Sequence, residues 1–325
     1  MHMTNFTQTL TSTGYLTIDM IAMLFQVKRK KHKAIQKHLK AMVENKELKQ
    51  TKSPKFKSSD TGSRNIYNER YFAKIKNYDG SISTLVIEVD PKNNSRGNRR
   101  GYFKLEYNPN KFDSRIVAEY IEKILGENMY KLFYKQCWIT RLDIAIDVPG
   151  ITPADILIYV PTLSKSTLIR GEDNQIETIY TGSRTSKRFF NTYDKIRELN
   201  KNKTPSTSYS ILPNQSMTRF EVTIRNKISK EHPKVRINNL ANIENVFALI
   251  NVYDSDIDKP AFPKGFVNVL NKKGLQMAIM SVHRSRRKGI LTKLEPYRTH
   301  PLHPDKLWET YPNALEFLNA FKHEE

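Results

Sequence analysis

The sequence predicts an α+β fold, with a mainly antiparallel central sheet flanked by helices and then a helical C-terminal region. Three observations carry this. Some segments have a period of two, as in CWITRLDIAIDV (137–148), where Ile139, Arg141, Asp143 and Ala145 face one way. Others place apolar residues at 3.6-residue spacing. Strands also follow one another in runs instead of alternating strictly with helices, which favours antiparallel pairing.

YLTIDMIAMLFQV (15–27) is apolar, bounded by charge, and reads as a strand. KRKKHKAIQKHLKAMVENKEL (28–48) reads as a helix with Ala34, Ile35, Leu39, Met42 and Val43 on its apolar side. A Ser-, Lys- and Gly-rich stretch, about 50–66, reads as a mobile basic loop. Strands are expected at 69–77, 83–90 and 101–108, the last two joined by the basic turn PKNNSRGNRR. DSRIVAEYIEKILG (113–126) is a helix that Asp113 or Ser114 caps and Gly126 ends. After the strand 137–148, Thr152 and Pro153 look like the opening of a short helix, TPADILIYV. Then come a hairpin around GSRTSK, a Lys/Asn/Ser/Pro loop (200–216) and the strand MTRFEVTIRN (217–226). From about 230 three helical segments are expected: NLANIENVFALINVY, KGLQMAIMSVHRSRRK and DKLWETYPNALEFLNAF. This organisation gives a catalytic region over 1–230 and a helical accessory or DNA-binding region over 231–325.

The 325 residues can bury a substantial core. The formal charge is +21, spread along the chain, so a polyanion is the expected partner, nucleic acid before an anionic membrane. Cys137 is the lone cysteine, which excludes an intrachain disulfide and fits a reducing cytoplasm. No run of about 18 apolar residues is present, so no membrane span is expected. The first residues lack the basic-then-apolar pattern of a secretion signal.

Three kinds of residue carry candidate chemistry. Asp143, Glu221 and Glu106 lie in strand contexts, where an ionised carboxylate is costly unless paired or bound to a cation. Converging carboxylates suit Mg²⁺ or Mn²⁺; the competing reading pairs each acid with a neighbouring Arg141 or Arg219. Tyr193 is followed by Asp194 and Lys195. A phenol with a pKa near 10 attacks a phosphodiester only with help from a base or a nearby cation, and Lys195 is placed to give it. The scattered histidines form no His-x-His pair, which argues against a two-histidine nickase and a zinc site. Basic runs at 28–33, at 96–100 (Arg96, Arg99, Arg100) and at 283–288 (Arg284, Arg286, Arg287, Lys288), with Arg184 and Lys187 of the hairpin, are candidate phosphate contacts or simply solvated charge.

Four motifs now stand in order: FKLEYNPNKF (103–112), TRLDIAID (140–147), Y-x-G-S-R-x-S-x-R-F-x-x-x-Y-D-K (180–195) and TRFEVTIR (218–225). Together they resemble the plasmid replication-initiation-factor family, the Rep-trans type rolling-circle initiators, over about 15 to 226. They are also similar to relaxases of conjugative transposons and, more distantly, to filamentous-phage nickases. The resemblance implies a metal-dependent tyrosine nickase and ligase with Tyr193 as nucleophile and Asp143, Glu221 and Glu106 as acidic positions. Members usually carry Arg two residues before the nucleophile, where this chain has Asn191, so phosphate clamping falls to Arg188 or Lys195. Implied partners are origin duplex or hairpin, single-stranded DNA, a host helicase and polymerase, and a second copy of the chain. A conjugative relaxase, or a DNA-binding initiator or regulator without nuclease activity, are the alternatives.

Overall fold

The computed structural model describes residues 16–52, 67–76, 80–91, 100–202, 216–226 and 235–322. The fold is α+β, as the sequence predicts. Ten strands share one sheet in the order 49–52, 67–76, 82–91, 100–107, 16–28, 138–149, 217–225, 188–194, 176–181 and 166–170, and three short strands, 298–299, 251–254 and 156–159, make a second. The chain divides into two compact units. One comprises Ile18–Asp143, Ile224–Ile243 and Pro312–Glu325; the other comprises Met1–Thr17, Ile144–Thr223 and Glu244–Tyr311.

The first unit holds β1 (Leu16–Lys28), α1 (Arg29–Glu44), β2 (Lys49–Lys52), β3 (Tyr67–Lys76), β4 (Ile82–Pro91), β5 (Arg100–Tyr107), α2 (Ser114–Leu125), α3 (Glu127–Gln136) and the start of β6 (Trp138–Pro149). Strands β2 to β5 and β1 pair antiparallel. One sheet face is apolar. Phe25 and Phe103 meet Phe133 of α3 edge-to-face, with centroids 5.6 and 6.2 Å apart. α1 buries Ile35, Leu39 and Met42 as expected, but Ala34 is exposed and His32 takes the inward position. α2 starts where Asp113 accepts the Arg115 amide at 2.8 Å. Sequence reading missed α3 because Gly126 both ends α2 and opens the next helix, at φ 75°. The expected loop about 50–66 lies mostly outside the described residues; its first residues belong to β2.

The second unit holds β7 (Ile156–Tyr159), β8 (Ser166–Arg170), β9 (Ile176–Thr181), β10 (Arg188–Asp194), α4 (Lys195–Asn202), most of β11 (Met217–Arg225), β12 (Asn251–Asp254), α5 (Lys264–Ser281), α6 (Arg284–Leu294), β13 (Arg298–Thr299) and α7 (Pro304–Trp308), with α8 (Tyr311–Ala314) starting at its end. Its core gathers Tyr159, Tyr253, Phe262, Phe266, Leu270, Leu275, Ile279, Ile290 and Leu294.

Three expectations are corrected here. TPADILIYV is not a helix. Asp155 accepts the Thr152 amide at 2.7 Å and hydroxyl at 2.8 Å, which closes a turn, and β7 then pairs with β12. A partner strand about a hundred residues away overrides the local Thr-Pro signal. NLANIENVFALINVY forms only two 3-10 turns, Ile237–Asn242 and Phe247–Leu249, before β12. Asn245 Oδ1 accepts the Phe247 and Ala248 amides, a local bond that competes with helix. KGLQMAIMSVHRSRRK is two helices, not one: α5 ends at Ser281 and the basic run begins α6. Within α5, Gly274 sits at φ 81°, and a Cβ there would meet Leu168 of β8 at 3.1 Å. Glycine satisfies both the left-handed backbone and the close approach.

Candidate active site

Tyr193 lies at the end of β10, opposite Thr178 of β9 and two residues beyond Asn191, which faces Tyr180. The GSRTSK turn closes this hairpin with Gly182 at φ 96° and the Ser186 amide on the Ser183 carbonyl at 2.8 Å. Tyr193 is half-buried. The strand stops at Asp194, whose Oδ1 accepts the Arg197 amide at 2.9 Å, the N-cap bond that starts α4. Lys195 is therefore the first residue of a helix, not a strand neighbour of Tyr193. The turn of the backbone still brings its Nζ to 5.9 Å from the Tyr193 ring centroid. Lys195 is 7% exposed, and its ammonium donates to Glu198 at 2.5 Å.

The Tyr-Asp-Lys run thus divides by role. Asp194 also pairs with Arg197 at 3.4 Å, and Arg197 reaches Glu177 at 2.9 Å and Asp173 at 2.5 Å. Bonds from Lys201 and Arg197 hold the Glu177 carboxyl below the usual carboxylate range. Arg188, expected as a clamp, opens β10 five residues before Tyr193, about 17 Å at the rise of a strand. It pairs with Glu244 at 3.3 Å. Asn191 lies nearer, and its buried Oδ1 accepts no hydrogen bond among the described residues. Next to it, Tyr180 stacks on Phe189 at 5.6 Å, and the Arg184 guanidinium lies 5.1 Å from the Tyr180 centroid. Arg184 and Lys187 are exposed. On β11 Glu221 is half-buried, while Arg219 grips Asp147 with two bonds of 2.6 Å.

The other two acids belong to the first unit and share one partner. Arg141 Nε and Nη2 donate to both oxygens of Asp143 at 2.9 and 2.5 Å, and Nη1 reaches Glu106 Oε1 at 3.5 Å. Asp143 is 2% exposed. Ala22 of β1 stands opposite Glu106 and accepts the Thr140 hydroxyl on its carbonyl at 3.2 Å, and β1 lies between the strands of Glu106 and Arg141. Glu106 Oε2 accepts from Lys104 at 2.9 Å, Lys104 also bonds Glu88 at 2.8 Å, and Glu88 pairs with Arg70 at 3.2 Å. Burial pushes the Glu106 carboxyl up, but Lys104 and Arg141 outweigh it and hold the group below its ordinary value. Burial pushes Lys104 down, and Glu106 and Glu88 reverse that, raising it.

Glu106 and Asp143 are thus each held by cations of the protein itself, the pairing that the sequence offered as the competing reading. A protein cage is not formed: among the described residues no group of three or more His, Cys, Asp or Glu is placed to hold a metal. The alternating signs in Lys104-Leu105-Glu106 and Arg141-Leu142-Asp143 were the signal for this network, because residues two apart share a strand face.

The basic residues separate in the same way. Arg96 and Arg99 lie outside the described residues, and Arg100 opens β5. Arg284, Arg286 and Lys288 are exposed in the first turns of α6. Arg287 instead donates to the Val282 and Met280 carbonyls at 2.9 and 3.1 Å, closing the C-terminus of α5.

No family model matches the sequence, and no curated protein matches it. Among solved structures the chain is similar to the di-domain ARO/CYC BexL from the BE-7585A biosynthetic pathway, at 9% identity and a TM-score of 0.19 over 94% of this chain and 99% of that one, a level that bears on neither fold nor function. No helix of the described residues is long and apolar enough to cross a membrane.

Proposed function

We propose that the chain is a DNA nickase and strand transferase that acts through Tyr193 and starts rolling-circle replication of a plasmid in a bacterial cytoplasm. The observation that carries this reading is the buried Lys195 ammonium 5.9 Å from the Tyr193 ring, in a chain of net charge +21. That ammonium, which Glu198 also holds at 2.5 Å, is the cation this reading assigns to the negative charge that grows on the phenol and on a phosphate under attack. Tyr193 Oη forms a bond to the scissile phosphorus, and the bond from phosphorus to the 3′ oxygen breaks. The phenolic proton leaves to solvent, and the departing 3′ oxygen takes up a proton. The 5′ phosphate stays on the tyrosine, and the free 3′-OH serves a host polymerase behind a host helicase. Reversal, with a 3′-OH attacking the phosphotyrosine, rejoins a strand. Glu106 and Asp143 would hold Mg²⁺ or Mn²⁺, which when bound supplies Lewis-acid polarisation of the phosphate. Glu221 is the third acid of this reading, and two copies of the chain at one origin its expected assembly.

A labelled single-stranded oligonucleotide and a supercoiled plasmid test the reading. The wild type should nick both and remain attached to the 5′ end; Tyr193→Phe should bind DNA without nicking or forming an adduct. Full nicking by Tyr193→Phe removes the assignment and makes Tyr180 the next candidate.

A second reading rests on the N-cap role of Asp194. That bond gives the Tyr-Asp-Lys run a structural purpose and leaves a DNA-binding initiator or regulator without nuclease activity. Absence of any nicking by the wild type, with origin binding kept, would favour it. A conjugative relaxase has the same chemistry and differs only in its DNA site.

A further inference from the structure

We infer that Tyr180 and Arg184 form a stacking platform for an unpaired nucleobase, on the sheet face that carries Tyr193. This face then takes single-stranded nucleic acid by its bases as well as by its phosphates. The inference rests on the function proposed above for its choice of ligand, but its test is read on binding alone.

Strands β8, β9 and β10 pair antiparallel. Tyr180 stands opposite Thr167 on one side and Asn191 on the other, and Thr178 stands opposite Ile169 and Tyr193. Residues directly opposite share a face, so these six stand on one side of the sheet. All six keep exposed surface, Ile169 as much as 42%. The alternate residues Ile179, Thr181, Phe190 and Thr192 are buried on the other side, where Leu168 lies against Gly274 of α5. The outward strip is thus partly apolar, with two phenol rings and an isoleucine, and none of its six residues is acidic. Arg184 and Lys187 are exposed on the turn that joins β9 to β10, which gives the strip a cationic border. Flat apolar groups on an anionic backbone match both properties, and single-stranded nucleic acid has both.

The platform is preset. Tyr180 stacks on the buried Phe189 ring at 5.6 Å and 24°, and the Arg184 guanidinium lies 5.1 Å from the Tyr180 centroid. Bases stack on aromatic rings and on guanidinium planes alike. A ring already fixed by a neighbour loses little freedom when a base settles on it. Tyr180 and Tyr193 are diagonal neighbours, about 7–8 Å apart in such a ladder. A base on the platform therefore belongs to a nucleotide beside the phosphate that Tyr193 would attack. Tyr180 in this account is a positioning residue for the strand. A duplex keeps its bases in its own stack and does not use the platform.

The test compares binding of a short oligo(dT) strand with that of an abasic strand of the same length and phosphate number, in metal-free buffer. Wild type should prefer oligo(dT). Tyr180→Ala should weaken oligo(dT) binding by about five- to a hundredfold, the contribution of one base–aromatic stack, and leave the abasic strand unchanged. Tyr180→Phe should restore the preference, and Arg184→Lys, which keeps the charge without the plane, should lose part of it. If Tyr180→Ala does not fold, Tyr180→Trp serves instead: oligo(dT) should quench the added tryptophan emission, and the abasic strand and a duplex should not. Equal binding of the two strands by wild type overturns the inference, as does an equal loss for both strands in Tyr180→Ala or a Tyr180→Trp emission that oligo(dT) leaves unchanged. A base-dependent preference in a wild type that never nicks DNA would retain the platform and remove the nickase. Nicking without that preference would do the reverse.

Discussion

Arg141 grips both carboxylate oxygens of Asp143 from two positions away on the same strand, at 2.9 and 2.5 Å. The pair is uneven, since the acid is buried and the base reaches the surface. Removing the base alone strips two charge-assisted bonds from a buried acid. Arg141→Met should therefore cost on the order of 3 kcal/mol, and the double change to Met and Asn much less. Urea unfolding at neutral pH checks this: a fall in midpoint at constant slope for the single variant, largely restored in the double. Equal losses in both would mean that the stability lies in packing, not in charge compensation.

Asp194 caps a helix directly after Tyr193, and Asn can tell that cap from a catalytic carboxylate. As an N-cap, Asn serves as well as Asp, whereas Ala costs about 1 kcal/mol. Asp194→Asn should keep both melting temperature and nicking rate. Asp194→Ala should lose stability first and activity only in proportion. A nicking rate that collapses in a stable Asp194→Asn protein would make the carboxylate a proton acceptor for Tyr193 instead.

The Glu106–Lys104 pair sets a pH window. Glu106 is held below its ordinary 4.5, so its contribution is full above that value and is lost as pH falls through the lower folded value. Lys104 is raised above its ordinary 10.5, so its contribution is full below that value and is lost as pH climbs past it. Melting temperature between about pH 3 and 11 should show a plateau bounded near these two values. Glu106→Gln should weaken the acid limb of that profile. An unchanged acid limb in this variant would place the acid sensitivity elsewhere, with Glu47, Asp173 and Glu177 also held low by cations.

The basic run at 283–288 should split into binding and structural residues. Six phosphate contacts predict a log–log salt slope of about −5 on duplex DNA. Alanine at Arg284, Arg286 and Lys288 should reduce its magnitude by about 3 with little change in melting temperature. Arg287→Ala should do the reverse, lowering stability by about 1 kcal/mol through the lost bonds to Met280 and Val282 while barely moving the slope. A salt slope near zero in the wild type would leave the net charge of +21 without a nucleic-acid purpose.

Much of this architecture was legible wherever local chemistry and tertiary context agree. Asp113 caps α2 as its position before an apolar-periodic run implies, and GSRTSK turns between β9 and β10. Where a distant partner decides, local reading fails. Ile156–Tyr159 follows a helix-like Thr-Pro pair, yet it is drawn into a sheet by Asn251–Asp254. The basic run at 283–288 looked like the end of an apolar helix, where the macrodipole welcomes cations. It begins a helix instead, where the same dipole disfavours them by about 0.3–1 kcal/mol each. At the candidate site, sequence reading named both Asp143 and Arg141 and left open whether the acid pairs or binds metal. It had no means of seeing that Arg141 also spans β1 to Glu106, because that contact depends on which strand lies between them in the sheet.

Arg70, Glu88 and Lys104 stand directly opposite one another on three adjacent strands, while Tyr71, Ile87, Phe103 and Leu105 line the other face with no exposed surface. A slip of one residue between these strands would exchange the two faces. It would drive Glu88 or Lys104 into the space beside Phe133 and turn an aromatic side chain to water. The charged row thus acts as a spelling check during folding. Pairings shifted by one residue are penalised on both faces at once, and the long strands β3 to β5 have one low-energy alignment in which to stop.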